Sequence, residues 1–140
     1  MVDPKDLKRA LVAAGLEVFR TRGEEIHLAE RQNVSLMEAG VRVRGGAAPG
    51  VIVVARAQRS DALAAQAEQL FDLVRARSAS LVEAGFLEVS AAAREIRSVS
   101  DPAHVVDTWF EVTFQRDASD LEGLVGLARL AIRADRYVVP

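Results

Sequence analysis

The chain has two imidazoles, His27 and His104, and no cysteine, so its candidates for nucleophile, general base and metal ligand are few. A metal site would need both histidines plus carboxylates, and a hydrolytic triad would need one of them between a serine and an acid. His27 falls at an outward position of a predicted strand, and His104 follows Asp101-Pro102 in a predicted turn. Both read as ordinary surface histidines. Asp101, His104 and Asp107 can be drawn as a small metal cluster, yet their spacing matches no metal signature and a polar turn accounts for them. Glu24, Glu25, Glu30 and Glu38 offer carboxylates for acid–base work, but acids at strand edges are more often solvated. Gly45-Gly46-Ala47-Ala48-Pro49-Gly50 lacks the lysine and hydroxyl residue of a phosphate-binding loop and does not run into a helix. It reads as a flexible hairpin connection. These residues predict no catalytic group, no cofactor and no metal.

Trp109 is the one side chain that points to recognition. It is the only tryptophan, and strand alternation puts it on the face opposite Phe110 and Phe114. Tryptophan is enriched at protein interfaces. The competing reading packs it under a loop or under the tail Tyr137-Val138-Val139-Pro140. Ile52 and Val54 belong to Val51–Ala55, a run apolar on both faces, and join Trp109 as expected partner-binding residues.

Composition sets the class. A chain of 140 residues with 50% hydrophobic and 27% charged residues suits one soluble domain, taken here as residues 1–140. A net charge of −2 argues against a nucleic-acid binder. The start, Met1-Val2-Asp3-Pro4-Lys5, lacks the apolar run of a secretory signal, and no segment has the apolar length of a membrane span. A cytoplasmic protein without membrane or nucleic-acid partners is expected.

The elements that would position these residues follow from hydrophobic period. Asp3-Pro4 caps a first helix whose stripe runs through Leu7, Leu11, Ala14 and Val18, widened by Val12, Leu16 and Phe19, with Gly23 as its left-handed cap. From Glu24 to Arg59 the period is two, and a parity change locates a turn or bulge near Gln32-Asn33 or near Glu38-Ala39-Gly40. Three antiparallel strands result. Ser60-Asp61 caps a second helix through Leu63, Leu70 and Val74 to Gly85, with a weak spot at Ser78-Ala79-Ser80. Leu87, Val89, Ala91 and Ala93 form a strand with small inner residues, and Val106, Phe110, Val112 and Phe114 one face of the next. Ser119 or Asp120 caps a last helix over Leu121, Leu124, Val125, Ala128 and Ile132, widened by Leu127 and Leu130. The expected fold is α+β: a five-stranded antiparallel sheet with three helices, order α-β-β-β-α-β-β-α, the helices mainly on one face.

That order, over Asp3 to Ile132, resembles the type III secretion chaperone-like fold shared by the YbjN-like proteins. The resemblance implies a small dimeric protein, not an enzyme, that binds other polypeptides through sheet and helix surfaces. The expected function is therefore a chaperone-like binding module, a homodimer acting on a polypeptide partner. The alternative is a small-molecule binder or enzyme with a cavity between sheet and helices, where Ala91 and Ala93 would leave room.

Overall fold

The first helix ends earlier than its apolar stripe suggests. In the computed structural model, which describes residues 1–139, α1 spans Pro4–Ala13. Asp3 caps it by accepting from the Lys5 amide at 2.8 Å, and Pro4 fills the first helical position. Gly15, at φ 85°, stops it. The Gly15 amide donates to Val12 and the Leu16 amide reaches back to Leu11, a Schellman closure that needs a left-handed residue there. The chain beyond is therefore free to extend. Val18 and Phe19 lie in β1 (Glu17–Arg22), and Gly23 sits in the turn to β2 (Glu25–Gln32) rather than at a helix end.

Both places singled out by the parity change are used. Asn33, at φ 57°, turns β2 into β3 (Ser35–Arg44), and a bulge shifts the β2–β3 register between His27 and Ala29, opposite Glu38 to Arg42. β4 (Gly50–Gln58) follows, pairing Gly50–Val53 antiparallel with Val41–Arg44. The glycine-rich connection is pinned. Gly46 exchanges backbone hydrogen bonds with Val2, and the Gly45 amide donates to Glu24.

The second helix also departs from expectation. Ser60 and Asp61 lie in a single 3-10 turn, Arg59–Asp61, and spend their side chains elsewhere, Ser60 on Asp107 and Asp61 on Tyr137. Deprived of those caps, α2 begins only at Ala67, where the Gln69 side chain accepts from the Gln66 amide, and it spans Ala67–Arg77. Leu63 is left 81% exposed. Ser78 then ends α2 and begins α3 (Ala79–Glu83), the break foreshadowed by Ser78-Ala79-Ser80. β5 (Leu87–Arg97), β6 (Val105–Asp117), α4 (Leu121–Arg133) and β7 (Tyr137–Val138) complete the chain, with Asp120 capping α4 through the Gly123 amide.

The described residues thus form four α-helices and seven strands, which corrects the expected three helices and five strands within the same α+β class. The additional strands are β1, released by Gly15, and β7, and the additional helix comes from the break at Ser78. Strands are hydrogen-bonded in the order β1-β2-β3-β4-β6-β5, and β7 pairs parallel with β4 at Arg56 and Ala57. Pro140, the last residue of the apolar tail, lies outside the described residues.

The chain divides into two compact units, with β4 and β6 contributing to both. Unit 1 comprises Met1–Val53 and Gln115–Ala134, and buries Leu7, Leu11, Ile26, Leu28, Val41, Val43, Leu124 and Ala128. Unit 2 comprises Val54–Phe114 and the chain from Asp135, and buries Leu70, Val74, Leu81, Phe86, Phe110, Val112 and Phe114. In its core the rings of Phe71 and Phe110 meet edge to face at 5.4 Å.

Gly15→Ala adds a methyl that meets no atom within 4 Å, so its cost comes from the left-handed backbone alone. The expected loss is about 1 kcal/mol of unfolding free energy, read by urea titration.

Candidate partner-binding site

β6 alternates between core and outer face in unit 2. Phe110, Val112 and Phe114 are buried, while Asp107, Trp109 and Glu111 are half-buried on the other side. Trp109 does not present a bare ring. The Arg56 guanidinium from β4 lies 3.8 Å from its centroid, and that of Arg94 from β5 lies 4.9 Å away. Glu111 then holds Arg94 through two hydrogen bonds, 2.9 and 3.2 Å, in the planar fork that arginine makes with a carboxylate. The lone tryptophan is therefore an aromatic platform that orients two cations.

Asp107 anchors the other end of this face. The Ser60 hydroxyl and amide donate to it at 2.7 and 3.0 Å. Burial pushes its carboxyl up, but the Ser60 bonds, the Thr108 amide and the Trp109 side chain outweigh burial and hold it below the usual carboxylate value. Tyr137 brings the tail to the same neighbourhood. Its hydroxyl hydrogen-bonds Asp61 and Gln58, and its ring lies 5.6 Å from the Arg56 guanidinium. The tail thus folds back onto β4, with Val138 buried and Val139 exposed.

β5 is the exposed part of this unit. Leu87 is 71% and Val89 56% accessible, and Ala91, Ala92 and Ala93 are exposed as well. The small residues expected to face inward do not line a cavity. Of the other expected contact residues, Val54 is half-buried in unit 2 and Ile52 is buried in unit 1.

Unit 1 holds a constellation that the residues alone did not reveal. His27, expected on the surface, is only 1% exposed. Arg20 Nε donates to His27 Nδ1 at 3.0 Å, and His27 Nε2 lies 3.3 Å from Glu25 Oε1. Glu38 stands 3.4 Å from Nδ1 and is held by Arg20 and Arg42, while Arg44 holds Glu25. Buried there, the ring has no access to a substrate. Because Glu25 and Glu38 meet opposite ring nitrogens, the three do not converge on one ion, and among the described residues no group of three His, Asp or Glu could hold a metal. The signal in the sequence was the opposed signs of Glu25, Glu38, Arg42 and Arg44 on the outward parity of adjacent strands. Asp101 and His104 share the turn, where the His104 amide donates to the Asp101 carbonyl, but His104 is exposed and Asp107 is spent on Ser60.

Among the described residues no helix is long and apolar enough to cross a membrane. Comparison with known proteins finds no family model, no curated relative and no solved structure that matches the chain.

Two measurements test this geometry. The Asp61 hydrogen bond first, and desolvation second, raise the Tyr137 phenol to about 12. Its neutral form is the one favoured in the fold, so the docking contribution is complete below pH about 10 and is lost as the pH climbs through about 12. Tyr137 is the only tyrosine, so tyrosinate absorbance reports it directly, and Asp61→Asn should bring the midpoint back toward about 10. In unit 1, His27→Ala strands Glu25 and Glu38 beside a void, and unfolding free energy should fall by about 2–4 kcal/mol in urea. His27→Gln, which keeps a donor and an acceptor, should lose less.

Proposed function

We propose that the protein is a binding module, chaperone-like and not an enzyme, that works as a homodimer on a polypeptide partner. The observation that carries this reading is the exposure of β5 along almost its whole length beside the Trp109 platform. Apolar side chains in water cost roughly 25 cal/mol per Å2, and a protein chain supplies both apolar cover and backbone partners for such a strand. The buried setting of His27 supports a role other than catalysis for the better-connected of the two imidazoles.

Light scattering at tens of micromolar should return twice the chain mass, and a monomer there contradicts the dimer. Pull-down from native cells should recover a stoichiometric polypeptide partner. Trp109→Ala releases Arg56 and Arg94 from their platform and should weaken dimerisation or capture at least tenfold. Wild-type behaviour of that variant would confine Trp109 to local packing.

A further inference from the structure

We infer that the end of β4, at Arg56, Ala57 and Gln58, is a strand-addition seat for an extended polypeptide segment in which tyrosine precedes an aliphatic residue. The protein's own Tyr137-Val138 fills the seat until such a segment displaces it. The inference rests on the polypeptide-binding reading above but needs neither the homodimer nor the β5 face.

Pairing leaves this part of β4 in need of a neighbour. β3 pairs with β4 only from Gly50 to Val53, while β4 runs on to Gln58. At Arg56 and Ala57 the partner is β7, running parallel, and the Arg56 amide donates to the Arg136 carbonyl at 2.7 Å. Backbone pairing of this kind supplies affinity whatever the sequence, and pockets for alternate side chains supply selectivity.

Places for two successive side chains are built here, all within unit 2. Val138 is buried, so one place takes an aliphatic group. Tyr137 points to the opposite face, where its hydroxyl meets Asp61 and Gln58 and its ring lies 5.6 Å from the Arg56 guanidinium. An ionised carboxylate only accepts hydrogen bonds, so Asp61 calls for a donor at that position. A phenylalanine would leave it facing a ring edge, and a site made to bond a hydroxyl rejects the analogue that lacks one. Asp61 belongs to the 3-10 turn Arg59–Asp61, which directly follows β4, so strand and acceptor come from one continuous piece of chain.

The resident segment is held lightly. β7 has two residues, and Ala134, Asp135 and Arg136 ahead of it belong to no helix or strand. Tyr137 and Val139 are exposed on either side of Val138. One buried side chain and a few hydrogen bonds describe a segment that opens locally at low cost. A Tyr-Val segment of a bound partner has the same contacts to make, at the high local concentration that tethering gives.

The test uses the full chain and a fluorescein-labelled peptide of residues 134–139, Ala-Asp-Arg-Tyr-Val-Val, read by anisotropy. Val138→Asp drives the resident segment out of its apolar place. That protein should bind the peptide at least tenfold more tightly than the wild type, whose seat is filled. In the same background a peptide with phenylalanine for tyrosine should bind at least fivefold more weakly, and Asp61→Ala should erase the difference between the two peptides. Tyr137→Phe is the milder variant should the aspartate cost the fold, and it should take the tyrosine peptide at least threefold more tightly than the wild type does. No saturable binding by either variant up to about 1 mM, or equal binding of the two peptides, overturns the seat. If the seat fails in this way while pull-down recovers a polypeptide partner, the binding reading above stands without it. If the peptide binds through its tyrosine and no partner is recovered, the seat stands and that reading falls.

Discussion

The period of two along β6 constrains everything else in unit 2. One parity, Phe110, Val112 and Phe114, is buried, and Phe110 meets Phe71 of α2. The other parity makes the outer face: Asp107 takes Ser60, Trp109 takes two guanidiniums, and Glu111 takes Arg94. A slip of one residue would put Trp109 and two carboxylates into the core and three apolar side chains into water. The register is thus fixed by the core, and the chemistry of the outer face follows from it. That coupling also reaches back into local structure, since Ser60 cannot both serve Asp107 and cap a helix.

Unit 1 meets a different constraint. Removing a histidine and two partly buried carboxylates from water is unfavourable unless each polar atom is matched. Arg20, Arg42 and Arg44 pair with the two carboxylates from β1 and β3, although the buried Arg42 Nε itself finds no hydrogen-bond partner. The bulge between His27 and Ala29 lets Glu38 and Arg42 both lie near the ring. Such a network favours one pairing of three strands, because a slip would part the buried His27 from Arg20 and Glu25.

Much of the fold was legible wherever period and cap agreed. Asp3-Pro4 and Asp120 cap their helices as expected, and the β6 alternation holds from Trp109 to Phe114, while Val106, expected on the same face as Phe110, is exposed. The failures share a cause: a local signal overridden by a partner distant in sequence. Val18 and Phe19 continue a helical stripe, but Gly15 had already ended the helix, and β2 supplied a strand partner. Ser60-Asp61 reads as a cap until Asp107 and Tyr137 are known to claim both side chains. The inward reading of Ala91 and Ala93 failed because alternation alone does not say whether a strand lies inside or at the edge of a sheet. For the site, Trp109 was legible as the singular residue on the outer parity. Its two guanidiniums were not, since Arg56 and Arg94 sit 53 and 15 residues away in sequence.

The two edge strands carry opposite instructions. β1 has six residues, a bulge between Val18 and Arg20, and exposed Glu17, Arg20 and Arg22 along it. Brevity and a bulge are recognised ways of making an edge a poor template for another strand. β5 has nearly twice the length, and its centre carries nothing larger than alanine. Its charges, Glu88, Arg94, Glu95 and Arg97, flank that centre. Composition cannot account for the difference, because arginine and glutamate are spread through the chain and were available to either strand.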